Sequence, residues 1–181
     1  MYHNYPRAFK KCICPSFDRL NEFWDEMADH PQMSGHPITG RAGWKRRGVP
    51  IKLHGDGAPV TGVGKSWSKC ADTYSWSSYV ADATCTTLML NNFIWTLFTA
   101  IDHVSTIGSR NTKTTFWSIL VWSLTWAYLG LWPDKWWDGS PFTHPIDIRR
   151  ALTPLCGDGA EMFFLVVWGL IGDLEWFYKE L

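Results

Sequence analysis

No excess of either charge marks this chain: 17 lysines and arginines balance 17 aspartates and glutamates across 181 residues. That balance excludes a global field that would draw the molecule to nucleic acid or to an acidic membrane. A secretory signal is also missing, because the N-terminus is polar and aromatic with no continuous apolar stretch. The five cysteines are Cys12, Cys14, Cys70, Cys85 and Cys156. Their odd number and the missing signal predict a reduced, intracellular setting. Cys12 and Cys14 alone cannot close a zinc site, which takes four ligands. The spacing of a phosphate-binding loop fails as well. Gly64-Lys65-Ser66 ends like one, but the position five before Gly64 holds Pro59, which has no N–H to offer a phosphate.

Charge is wholly absent from 84–101 and 114–132, each about as long as a membrane span. Against these absences stands one excess, thirteen tryptophans spread along the chain. Such rings fill cores, line membrane interfaces or stack on bases, so their number does not choose among these. The length fits one domain with a sizeable core. Composition divides it into 1–40, an arm and amphipathic helix, and 41–181, the core.

Residues 1–15 show no period and read as an arm. Ser16 can cap a helix in which Phe17, Leu20, Phe23, Trp24 and Met27 recur at helical spacing, with Asp18, Glu22, Asp25, Glu26 and Asp29 on an acidic outer face. This helix stops near His30-Pro31, and an irregular stretch follows to Gly48. Val49, Ile51 and Leu53 predict a short buried strand that exits through His54-Gly55-Asp56-Gly57. Asp56 thereby stands where α/β folds commonly place chemistry, although Gly-Asp-Gly also suits a plain turn. Around it lie Arg41, Lys45, Arg46, Arg47, Lys52, Lys65 and Lys69, a basic neighbourhood that suits a polyanion.

A glycine-rich turn at 57–66 leads to a half-buried strand in which Tyr74, Trp76 and Ser78 alternate with Ser75, Ser77 and Tyr79. Leu88, Leu90, Phe93, Ile94, Leu97, Phe98 and Ile101 fit a helical face, with a strand as the alternative. Residues 114–132 predict a long helix ending at Pro133 and buried on nearly every side, because it lacks charge. Residues 133–159 read as loop. Met162 to Ile171 is a continuous apolar run that delivers a second aspartate, Asp173, before a helical pattern at Leu174, Phe177, Tyr178 and Leu181.

Two strand-end aspartates separated by further strands and a long helix match the order of the RNase H-like fold. The expected architecture is α/β, an incomplete RNase H-like mixed sheet with flanking helices, preceded by an N-terminal amphipathic helix. Such a site holds two Mg2+ or Mn2+ ions on hard oxygen ligands for phosphoryl transfer.

Several stretches carry a resemblance: Pro50 to Val60, Gly64-Lys65-Ser66-Trp67, Ser75-Trp76-Ser77-Ser78, Gly130-Leu131-Trp132-Pro133 and Gly172-Asp173-Leu174-Glu175-Trp176-Phe177. They are similar to a repeated, mobile-element-like family of dinoflagellate algae, itself similar to DDE transposases of the CACTA and Plavaka kind. The resemblance implies catalytic and metal-binding roles for Asp56 and Asp173 and a DNA substrate met by Lys45, Arg46, Arg47, Lys52, Lys65 and Lys69. It places the site in a cell's interior, with the nucleus a candidate. It also implies that the third acidic residue lies beyond Leu181, so the chain reads as a decayed or truncated front part, inactive by itself.

Two other readings stay open. One is a small membrane protein spanning at 84–101 and 114–132, with a shorter third segment at 162–172. The other is a non-catalytic nucleic-acid-binding remnant using the basic stretch with Trp44, Trp67 and Trp76 as stacking rings.

Overall fold

A computed structural model describes residues 5–59, 70–98, 112–156 and 162–172. In chain order these form α1 (Pro6–Cys12), α2 (Phe17–Glu26), α3 (Trp44–Arg47), β1 (Gly48–Pro59), β2 (Cys70–Ser78), α4 (Thr87–Leu90), β3 (Asn92–Phe98), α5 (Thr112–Leu129), α6 (Pro145–Arg150) and β4 (Phe164–Ile171). The strands make one mixed sheet in the order β3-β2-β1-β4. β1, β2 and β3 run as an antiparallel meander, and β4 returns parallel to β1. The α/β class, the mixed sheet, the flanking helices and the N-terminal helix are therefore as the sequence predicted.

The amphipathic helix α2 begins where its cap predicted, with the Ser16 hydroxyl accepting from the Arg19 N–H at 3.1 Å. It buries Leu20, Phe23 and Trp24. Trp24 is fully buried, edge-on to Trp168 of β4 at 5.3 Å and to Trp44 at 5.2 Å, and its indole N–H donates to the Gly48 carbonyl at 2.8 Å. A buried indole N–H usually finds such an acceptor, since leaving it unpaired costs free energy. Gly48 must be glycine here, because a Cβ would lie 2.9 Å from the Trp44 carbonyl and 3.2 Å from the Phe164 ring.

Three departures from expectation have clear causes. The supposed N-terminal arm is partly helical and structural: Phe9, Cys12, Ile13 and Cys14 belong to the same buried cluster as Val49, Ile51, Phe164 and Val166. Its period was hidden because seven helical residues show too few turns. Residues 92–98 form a strand, not a helical face, since pairing with β2 and the alternation of exposed Phe93 and Trp95 with half-buried Ile94 and Thr96 overrule the 3.6 spacing.

The long helix forms, but it ends at Leu129 instead of Pro133. Gly130 at φ +77° lets its own N–H reach the Ala127 carbonyl (3.2 Å) and the Leu131 N–H reach the Trp126 carbonyl (3.2 Å). It is not buried on every side: Leu120 is its buried residue among those described, whereas Val121 is 59% exposed.

Three His-Pro steps share one device. His30, His36 and His144 each accept through Nδ1 from the backbone N–H two residues on (3.2, 3.1 and 3.3 Å) and so start the helical turns at Pro31, Pro37 and Pro145. The proline sits first in each turn, where its missing N–H costs nothing.

Candidate functional site

The burial pattern of β1 alternates: Ile51, Leu53 and Gly55 are buried, Lys52 and His54 are half-buried, and Asp56 is exposed. Leu53 lines the cavity under α5, and Tyr74, opposite Gly55, packs on Phe116 of that helix at 4.5 Å. Alternation therefore sets Lys52, His54 and Asp56 on the other face of the sheet, the one α2 covers at its far end. The strand is longer than predicted. Asp56 lies within it, paired with Thr73, whose hydroxyl donates to the Asp56 carbonyl at 3.1 Å. The glycines at 55 and 57 do not end the strand, because β2 is long enough to pair them with Tyr74 and Asp72.

β4 lies beside β1 and runs the same way. Their register slips once, between Ile51 and Lys52, where Trp168 is the extra residue of a bulge. Beyond the slip Lys52 stands beside Gly169, and both meet Tyr79: the Lys52 ammonium sits 5.5 Å from its ring centre, and a Cβ at Gly169 would collide with its hydroxyl. Burial raises the Tyr79 phenol above its ordinary value. The last described pair is His54 with Ile171. The chain carries an aspartate two positions beyond each member of that pair, at 56 and at 173. Asp173 itself lies outside the described residues, as do Lys65 and Lys69.

Asp56 enters neither ion pair found among the described residues, Arg19–Glu22 and Lys45–Asp25. Among the described residues there is no group of three or more His, Cys, Asp or Glu side chains placed to hold a metal ion. One acid was passed over in the sequence: Asp72 is opposite Gly57, and its carboxylate lies 3.4 Å from where a Gly57 Cβ would stand. One pair along from Asp56 and Thr73, it belongs to the opposite face by alternation. Only the strand register reveals it, since Asp72 lies outside any motif of its own.

Among the described residues the basic side chains do not gather into one surface. α3 carries Lys45, Arg46 and Arg47 just before β1 starts; the last of them, Arg47, is nine positions from Asp56, which is about 30 Å along an extended strand. Each is also engaged locally. Lys45 pairs with Asp25, the Arg46 guanidinium stands 5.2 Å from the Phe17 ring centre, and Arg47 donates to the Ala42 carbonyl. Arg41, half-buried, is turned toward the end of α5: its guanidinium lies 3.7 Å from the Phe164 ring centre and donates to the Tyr128 and Leu129 carbonyls. Lys52 is the described cation nearest Asp56 along the strand.

Trp44 packs on Trp24, and Trp76 lines the apolar cavity under α5, so neither serves as an open stacking ring; Trp67 lies outside the described residues. Among the described residues no helix is long and apolar enough to cross a membrane. Within two of the three proposed spans, 92–98 and 164–171 are strands of the sheet. Searched against known proteins, the chain matches no family model, no curated protein and no solved structure.

Proposed function

We propose that this chain carries a transposase-related, RNase H-like site in which Asp56 and Asp173 together bind Mg2+ or Mn2+, in a lineage whose chemistry is phosphoryl transfer on DNA. The observation that carries the reading is the parallel pairing of β1 with β4 up to His54 and Ile171, which gives both strands the same direction toward their aspartates. The sheet order β3-β2-β1-β4 supports it too, since an RNase H-like sheet places its first and fourth strands side by side and sets a carboxylate on each. Carboxylates distant in sequence bind one ion cluster only if adjacent strands bring them together.

The donor chemistry fits. Asp56 offers a hard oxygen ligand from an exposed position on a rigid strand, with no lysine or arginine paired to it among the described residues. Bound ions would activate a water or hydroxyl and neutralise charge on the phosphate. The chain's own part is positional. β1 holds Asp56 by its pairing with Thr73 of β2, two positions beyond the last described pair with β4, and Lys52 on the same face offers a positive charge to an incoming phosphate backbone. Two carboxylates supply fewer ligands than a pair of ions needs, so water or a further acid would complete the coordination.

Titration with Mn2+ tests the reading. The wild-type chain is expected to bind, and Asp56→Asn and Asp173→Asn are each expected to weaken binding at least tenfold. Unchanged Mn2+ affinity in both variants would remove the site.

A further inference from the structure

We propose that Cys12 and Cys85 form a redox-responsive pair, oxidised by a small-molecule disulfide to a cross-link that fastens the N-terminal helix to the sheet. Their sulfurs stand 3.9 Å apart in the buried core, although 72 residues separate them in sequence. A disulfide needs a separation of about 2.05 Å, so the two sulfurs must close by about 1.9 Å.

The surrounding backbone is already joined. The Asp82 N–H donates to the Lys11 carbonyl at 2.9 Å, the Cys85 thiol points to that same carbonyl at 3.5 Å, and the Ser78 hydroxyl donates to the Ile13 carbonyl at 2.6 Å. These contacts fix the end of α1 against the turn that leaves β2. Asp82 in turn accepts from the Thr84 N–H at 2.8 Å, which shapes the turn that presents Cys85. The Asp82–Lys11 and Ser78–Ile13 contacts thus keep the two cysteines adjacent without depending on the sulfurs.

The other described thiols are less suited. Burial pushes the Cys14 thiol up to about 12, with Cys156 adding to the effect, so Cys14 carries almost no thiolate at neutral pH. Cys85 is also raised, first by burial and next by its contact with Cys12, but the nearby Lys11 charge opposes that rise.

The exchange balances as two thiol–disulfide steps. The Cys85 thiolate attacks one sulfur of oxidised glutathione, a mixed disulfide forms, and one glutathione thiol leaves with the proton. The Cys12 thiolate then attacks Cys85 Sγ, the protein disulfide forms, and the second glutathione leaves as thiol. Two protein thiols are oxidised and one glutathione disulfide is reduced. Because both sulfurs are buried, the reaction waits on local opening and takes minutes to hours.

The full chain is incubated in reduced and in oxidised glutathione, digested without reduction, and mapped by mass spectrometry, with thermal unfolding measured on the same samples. The expected result is a Cys12–Cys85 cross-linked peptide and a midpoint raised by on the order of 10 °C, as closure of so long a loop implies. Cys85→Ser is expected to lose both and to leave Cys12 free or singly glutathionylated. If that variant does not fold, peptide mapping of the wild type decides alone. Cys12 bonded to Cys14, or Cys12 and Cys85 both still free after the urea-unfolded chain has fully oxidised, would overturn the proposal. So would a midpoint shift that persists in folded Cys85→Ser.

Discussion

Replacing Arg41 by methionine removes a guanidinium that joins three parts of the molecule: the turn after Pro37–Gly40, the end of α5 and the start of β4. It stacks on Phe164 with 3.7 Å to the ring centre and on Tyr128 at 4.8 Å, and it donates to the last carbonyls of α5, those of Tyr128 and Leu129. Stacking of a partly desolvated cation is worth about 1–2 kcal/mol. Charged hydrogen bonds to otherwise unpaired helix-end carbonyls add about 1.5–3 kcal/mol. Ordering the long side chain opposes these by up to about 2 kcal/mol. The net loss for Arg41→Met is therefore about 2 kcal/mol.

Urea unfolding measures it. With a slope of about 2 kcal/mol per molar, the midpoint falls by about 1 M at unchanged slope. Arg41→Lys restores the charge near the helix C-terminus but not the planar fork, and recovers about half of the loss. A midpoint shift under about 0.25 M for Arg41→Met would refute this account of Arg41, because the stacked contacts would then contribute almost nothing.

Other outcomes follow from the same geometry. Ser78→Ala leaves the buried Ile13 carbonyl and Val80 N–H without their partner and costs about 1–3 kcal/mol in the same unfolding assay, while Ser75→Ala costs under about 0.5 kcal/mol. Burial lowers the His36 pKa below its ordinary value, so the unfolded chain takes up its proton first as pH falls; stability present above about pH 6.5 is lost below it. His36→Asn, which keeps a side-chain acceptor for the Ile38 N–H, flattens that part of the stability-against-pH curve. Gly130→Ala meets the Phe163 carbonyl at 2.9 Å and a left-handed φ, so it destabilises by about 1–3 kcal/mol in thermal unfolding. Asp56→Asn, at an exposed strand position, changes unfolding stability by less than about 0.5 kcal/mol, so any loss of metal binding in that variant is not a folding effect.

The elements read correctly from sequence are those whose pattern is local. Ser16 with Phe17, Leu20, Phe23 and Trp24 announces α2. Val49, Ile51 and Leu53 announce β1, and the apolar run before Gly172 announces β4. The elements misread are those decided elsewhere in the chain. Residues 92–98 carry both a helical and an alternating pattern, and only the neighbouring β2 chooses between them. Helix α5 carries no charge beyond Lys113 in its first turn yet leaves Val121 and Leu129 exposed, because lack of charge does not determine how many sides a helix has covered. The strand that carries Asp56 was legible, but the basic residues around it were grouped by sequence distance. A strand separates residues by about 3.3 Å each, so Lys45, Arg46 and Arg47 end up far from the carboxylate they adjoin in sequence. Asp72 and the Cys12–Cys85 contact are products of pairing across the fold and leave no mark in the linear pattern.

Iron-directed cleavage reports whether Asp56 and Asp173 hold the same ion. Fe2+ bound in place of Mg2+, with ascorbate and peroxide, generates radicals that cut the backbone next to the ion. Cuts are predicted near both Asp56 and Asp173 in the same chain, competed by Mg2+, and both abolished by either Asp56→Asn or Asp173→Asn. A cut at one aspartate alone, or one that survives replacement of the other, would contradict a shared metal site.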